Sequence, residues 1–149
     1  RGGSEMCIRD SLDTINLVNW SINRKIMGDH LINIENQGQF RPHELGQDKN
    51  RVSFSKGCFK GQEIIARMEY LGKAKKRVSL WEIKISKNIN LNEKLFNCEK
   101  VAIATVVDSI RSSEKSLRAL LVTAEENRET TEMFLDDNGV VAVKRLDFA

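Results

Sequence analysis

Three runs constrain the fold most: Val101-Ala102-Ile103-Ala104-Thr105-Val106-Val107, Leu117-Arg118-Ala119-Leu120-Leu121-Val122 and Val140-Val141-Ala142-Val143. Each is β-branched or apolar, and each is bounded by Asn-, Ser- or Asp-rich turns, the pattern of a strand. A further strand is expected over 78–85, where Val78, Leu80, Glu82 and Lys84 oppose Ser79, Trp81, Ile83 and Ile85, although the alternation is not clean. Asp136-Asp137-Asn138-Gly139 carries the Asn-Gly hairpin signal. Short strands at near-regular spacing, with no long helix between them, predict a small barrel. Glu125 to Phe134 is the one insertion-like stretch, polar and expected to be partly helical.

Ahead of these strands the period is helical. Leu12, Ile15, Val18, Ile22 and Ile26 predict a helix from Leu12 to Met27 that breaks near Gly28. Ile64, Ile65, Met68 and Leu71 form the stripe of a second, and Gly72 stands where a C′ glycine is expected. With 40% hydrophobic and 30% charged residues the composition is that of an ordinary globular chain. No apolar run approaches the roughly 18 residues of a membrane span. A net charge of +3 is too small to argue nucleic-acid binding by composition. Cys7, Cys58 and Cys98 show no CxxC spacing and suggest no disulfide framework, which favours a reducing cytoplasmic setting. Arg1 to Ser11 resembles a translated sequencing adapter and is expected to be a scar, which would make the chain a C-terminal fragment.

The densest chemistry lies in Lys56-Gly57-Cys58-Phe59-Lys60-Gly61-Gln62-Glu63-Ile64-Ile65-Ala66-Arg67. Two glycines and a cysteine run directly into the second helix, and Glu63 in its first turn suits the helix dipole. Unsatisfied N–H groups and the flanking Lys56 and Lys60 favour a thiolate at Cys58 if the sulfur is near the surface. A buried, inert cysteine beside a tight turn fits the same residues. Trp20 is either a packing anchor or a flat face for an aromatic ligand. His30 and His43 are open to three roles: zinc ligands, a Cys–His pair with Cys58, or structurally bonded side chains. Their spacing matches no metal or nucleophile motif, so no metal site is assigned. Lys73, Lys75, Lys76 and Arg77 could grip RNA phosphates or a folate's glutamate tail, or simply be a solvated linker. Cys98 falls in a turn before a strand.

Lys-Gly-Cys-Phe-x-Gly-Gln-Glu followed by Ala-Arg resembles the signature of the YgfZ family, folate-binding relatives of the glycine-cleavage T-protein that act in iron–sulfur cluster assembly and tRNA modification. Gly38, Gln39, Phe40 and Pro42 extend the resemblance upstream. The chain departs from the family at Ile26, where an acidic residue is common, and at Gly46, a frequent asparagine. The resemblance implies an α+β fold: the C-terminal part of a T-protein-like folate-binding domain over residues 12–72, then a small antiparallel β-barrel over 73–149, with 1–11 left outside as the scar. It implies a functional thiol at Cys58 and a site for tetrahydrofolate or a derivative built from Trp20, Gln39, Lys56, Gly57, Gly61, Gln62, Glu63 and Arg67. The fold it implies is transferase-like, with no autonomous catalysis expected of this stretch. Partners would be folate and iron–sulfur assembly proteins or their client enzymes, with tRNA as a further candidate and no membrane. The compartment would be the bacterial cytoplasm, or alternatively the mitochondrial matrix. Two other functions stay open: an RNA-interaction module that grips tRNA through 73–77, and a folate-dependent aminomethyltransferase.

Overall fold

The computed structural model describes residues 17–29, 32–57, 60–72, 74–136 and 139–148. Two helices, α1 (Leu17–Ile26) and α2 (Gln62–Leu71), precede six strands: β1 (Lys76–Lys84), β2 (Lys94–Phe96), β3 (Ala102–Ser113), β4 (Ser116–Ala124), β5 (Glu132–Phe134) and β6 (Val140–Leu146). The strands close into an antiparallel barrel in the order β1-β4-β3-β2-β5-β6, with β6 paired back onto β1. Closure leaves no long unpaired strand edge among the described residues, which is how a small all-antiparallel sheet avoids edge-to-edge association. The small antiparallel barrel expected of the C-terminal half is present.

Trp81, Ile83, Leu95, Val106, Leu117, Ala119, Leu121, Met133, Val141 and Val143 fill the barrel. Trp81 is wholly buried among them, and its indole N–H donates to Ser79 Oγ at 2.9 Å. A second, outer cluster explains the imperfect alternation in β1. Leu80, Val107, Leu120 and Val122 face away from the lumen and are covered by Leu45, with Ile26 and Phe40 partly buried against them. β1 is therefore buried on both faces near its middle, where the neighbours Leu80 and Trp81 are apolar on opposite sides and break the alternation.

A bulge in β3 fastens this cover to the barrel. The register with β4 shifts between Val106 and Asp108, which oppose Leu121 and Leu120. The extra residue, Val107, joins the outer cluster. The shift also turns Asp108 outward in step with Leu120, where strict alternation after Val106 would aim its carboxylate into the apolar lumen. Two partners come from the N-terminal segment. Asn36 Nδ2 donates to the Val107 carbonyl at 2.8 Å, and Lys25 Nζ stands 2.8 Å from Asp108 Oδ2. Lys25 is buried, and it also reaches Ser21 Oγ at 3.2 Å.

Several expectations are corrected. Of the helix expected from Leu12 to Met27, the described part is Leu17–Ile26, and residues 12–16 lie outside the described residues. In α2, Ile64 is exposed, so the stripe is not wholly a packing face. Gly72 has an extended backbone (φ −166°) and makes no left-handed cap. Lys76 and Arg77 are not linker; they pair with Ala124 and Thr123 at the start of β1. The 125–134 stretch is a 3₁₀ turn at Glu125–Asn127 followed by β5, rather than an insertion. β2 and β5 escape sequence reading because three residues cannot show a period. Asp137 and Asn138 of the hairpin signal lie outside the described residues, but β5 and β6 pair as it predicts, and Leu135 N donates to Gly139 O at 2.8 Å.

Asn36 is fully buried and also accepts from Asn33 N at 2.7 Å. Asn36→Ala should therefore cost about 1–3 kcal/mol in urea unfolding. Asn36→Asp, which sets a carboxylate against the Val107 carbonyl, should cost at least as much. Parity of Asn36→Asp with the parent would show that this amide is not the latch.

Candidate functional site

Gly61 precedes α2 with φ +87°, in the left-handed region that side chains disfavour. No atom lies within 4 Å of where its Cβ would stand, so glycine is required there for the dihedral rather than for space. Gly57 also has open space, and its φ is not positive. Cys58 and Phe59 lie outside the described residues, as does Lys73 of the basic run. Lys56 is exposed at the approach to the motif. Glu63 and Arg67 form an exposed i,i+4 ion pair at 2.8 Å, so each already holds the other's charge. Gln62, between Gly61 and Glu63, is half-buried and has a partner of its own.

Trp20 lies on α1, 48% exposed, with the Arg24 guanidinium 4.8 Å from its ring centroid. It therefore contributes little to the core; one part of the ring is taken by a cation and the remainder is open. Arg24 links it onward. Asp29 accepts from Arg24 Nε at 2.9 Å and from Arg51 Nη2 at 2.8 Å. Met27, Gly28, Asp29, Asn50 and Arg51 line a cleft of about 430 Å³. Asn50 and Arg51 also line a neighbouring cleft of about 400 Å³, together with Lys56 and Ile65. Trp20, Arg24, Asp29 and Arg51 thus form a chain of contacts from α1, and Arg51 shares a cleft with Lys56 at the edge of the cysteine motif. Gln39 sits apart from these clefts, on an exposed turn.

Arg24, Asp29 and Arg51 were missed by sequence reading, since an ion-paired carboxylate between distant arginines leaves no periodic signal. One hint was available. The family's usual acidic residue before the glycine is replaced by Ile26, yet Asp29 stands directly after Gly28. His43 is buried, bonded to Glu69 (Nε2 to Oε2, 3.3 Å) and packed against Phe54, as the structural account of that histidine expects. His30 lies outside the described residues. His43, Asp48 and Glu69 place a donor atom each within 4.8 Å of one another.

Elsewhere, Arg41, Arg67, Lys75 and Lys76 meet around a cleft of about 570 Å³ that Glu44 and Met68 also line. The tertiary structure therefore adds Arg41 and Arg67 to the basic run. Cys98 is exposed in the turn between β2 and β3.

The hydrogen bond from Arg24 holds the Asp29 carboxyl below its ordinary range, with Arg51 adding to the effect against a smaller opposing push from burial. A carboxyl depressed on folding contributes stability above its unfolded pKa of about 4, and loses it as pH falls through the lower folded value. The stability difference between the parent and Asp29→Asn should therefore be flat from neutral pH to about 5 and shrink below about 4. A difference that persists undiminished in acid would show that the pairing is not what Asp29 contributes.

No family model matches the chain. It is 40% identical over 58 residues to the tRNA-modifying protein YgfZ of Colwellia psychrerythraea, a match that covers 38% of this chain and 18% of that protein. The YgfZ proteins of Pectobacterium carotovorum and Yersinia enterocolitica are 46% and 44% identical over 55 residues, covering 36% of this chain and 16% of each. The matched segment is thus under a fifth of the length of those relatives. Among solved structures, the glycine cleavage system aminomethyltransferase T from Bartonella henselae aligns with a TM-score of 0.44 and 17% identity, over 60% of this chain and 25% of that one. The resemblance read from the cysteine motif is met by direct sequence similarity: over more than a third of its length the chain is similar to YgfZ proteins.

Proposed function

We propose that this chain provides part of a folate-binding accessory protein that serves iron–sulfur cluster assembly and tRNA modification, with Cys58 as its functional thiol. The observation that carries the proposal is the cysteine motif running into α2 through a left-handed Gly61, in a chain similar to proteins named for tRNA modification. The remaining elements fit a ligand with an aromatic ring and an anionic tail. Trp20 offers an open flat face, while Arg51 and Lys56 supply cations in adjoining clefts. Gln62, Glu63 and Arg67 would bind polar groups of the ligand or orient the loop, while Gln39, apart from the clefts, is left out of the site. Cys58 would act beside the N-terminus of α2, where backbone N–H groups favour a thiolate.

Tetrahydrofolate titrated into the protein should quench tryptophan fluorescence saturably. Trp81 is sealed inside the barrel, so the signal should come from Trp20. Trp20→Phe should abolish the quench but keep most of the affinity measured by calorimetry, while Trp20→Ala should weaken binding by on the order of tenfold, from the loss of about 1 kcal/mol or more of aromatic contact. Cys58→Ser should leave folate affinity unchanged and remove the activity in a cellular assay of iron–sulfur-dependent tRNA modification. Absence of any saturable binding would sink the proposal.

A second reading has an observation of its own, the meeting of Arg41, Arg67, Lys75 and Lys76 around one cleft. Here the chain contacts tRNA phosphates through that cleft, with Cys58 structural. The logarithm of tRNA affinity should then fall linearly with the logarithm of salt concentration, and Lys75→Ala with Lys76→Ala should lower that slope by about 1 per lysine. A slope that does not respond to these substitutions would remove this cleft from the RNA interface.

A further inference from the structure

We propose that His43, Asp48 and Glu69 bind a divalent first-row transition ion of the zinc class, and that the ion ties the loop around residues 42–50 to α2. The inference does not depend on the folate reading, since none of these three residues lines the clefts assigned to folate.

The donor set fits such an ion. One imidazole and two carboxylates are typical zinc donors, and three protein ligands leave a fourth position for water or a substrate atom. The three donor atoms lie within 4.8 Å of one another, against roughly 3.3 Å between ligands in a tetrahedral zinc site. His43 Nε2 and Glu69 Oε2 already stand at that spacing, 3.3 Å apart, and the Glu69 side chain, 42% exposed on α2, has room to adjust.

The independent observation is that a carboxylate oxygen of the cluster is buried with no partner among the described residues. His43 is 2% exposed and Asp48 7%, yet His43 Nδ1 and Asp48 Oδ1 are buried without a hydrogen bond among the described residues. If Nε2 carries the ring proton toward Glu69 Oε2, Asp48 Oδ1 is still a buried lone pair in need of a donor or a cation, while Nδ1, on the opposite edge of the ring, faces away from Glu69. In the other tautomer, the Nε2 lone pair faces the Glu69 carboxylate, which is also an acceptor, and a cation between them removes that conflict. Unmet buried polar atoms are costly, so a bound ligand is the economical explanation.

Arg77 is the one cation that the described contacts place beside the cluster. Its Nη2 is 3.8 Å from Asp48 Oδ2, beyond hydrogen-bonding distance, and it leaves Oδ1 free. Two carboxylates against a single guanidinium still leave the site net negative. Sequence spacing shows nothing of this site because its ligands come from one loop and a helix, 26 residues apart at the extremes.

The test uses the full chain, stripped with a chelator, with Zn²⁺ and Co²⁺ as probes. Expected is a single equivalent of Co²⁺ with the visible absorption of a tetrahedral or five-coordinate site and no sulfur-to-cobalt charge-transfer band. Zn²⁺ should displace it and raise the unfolding midpoint. Glu69→Gln keeps an oxygen that can accept from His43 Nε2 on an exposed side chain, so it should unfold like the parent without metal, yet bind Zn²⁺ and Co²⁺ at least tenfold more weakly. Asp48→Asn should do the same if it folds, while Cys58→Ser and Cys98→Ser should bind as the parent does. Failure to bind either ion, unchanged binding in Glu69→Gln, or a sulfur band lost in a cysteine variant would each overturn the proposal. Retained folate binding in Glu69→Gln would separate this site from the folate site.

Discussion

The extra residue in β3 is the constraint on which the arrangement of the molecule depends. A barrel strand must place alternate side chains in the lumen, and Asp108 follows Val106 by two, so in regular pairing its carboxylate would be driven into the apolar core. The bulge at Val107 reverses the parity and turns the acid outward, and it exposes a carbonyl on the outer face. Both features are then answered from the N-terminal segment, by Lys25 and Asn36. Because Lys25 is buried, its pairing with Asp108 is demanded rather than optional: a buried cation stripped of its partner costs about 3–5 kcal/mol. The bulge thus determines where α1 and the 33–50 segment lie on the barrel, and so where Trp20, Asp29 and Arg51 lie.

From that placement the cysteine motif acquires its neighbours. The Val78 N–H donates to the Glu44 carbonyl at 2.6 Å, tying the loop carrying His43 and Leu45 to the first barrel strand. The loop in turn carries Asn50 and Arg51 toward Lys56 and α2. The result is a surface with two charge environments close to one helix. On one side, Asp29 is shared by two arginines beside an exposed tryptophan; on the other, Arg41, Arg67, Lys75 and Lys76 surround an open cleft. The first is the surface proposed for a ligand with a ring and an anion, and the second is the one the RNA reading would use.

The barrel half was largely legible in the sequence because its evidence is local. β-branched runs such as Val101–Val107, turn-rich borders and the Asn-Gly pair each act within a few residues. What went unread there was either too short to have a period, as with Lys94–Phe96 and Glu132–Phe134, or came from burial on both faces, as in β1. The motif was legible as well, since the helix that follows it shows its apolar spacing and Gly61 marks its start. Ile64 shows the limit of that reasoning: periodicity identifies an apolar stripe but does not say whether anything packs on it.

By itself, then, the sequence determined the order of helical and strand segments, the position of the cysteine motif ahead of a helix, and the similarity to YgfZ proteins. These follow from backbone propensity, side-chain period and residue identity, all of which are properties of neighbours along the chain. The tertiary structure alone decided the closure of the barrel, the outward turn of Asp108, the Arg24–Asp29–Arg51 bridge, and the meeting of His43, Asp48 and Glu69. Each of these joins groups from separate segments, and their pairing is fixed by burial and charge balance in three dimensions. No spacing along the chain encodes it.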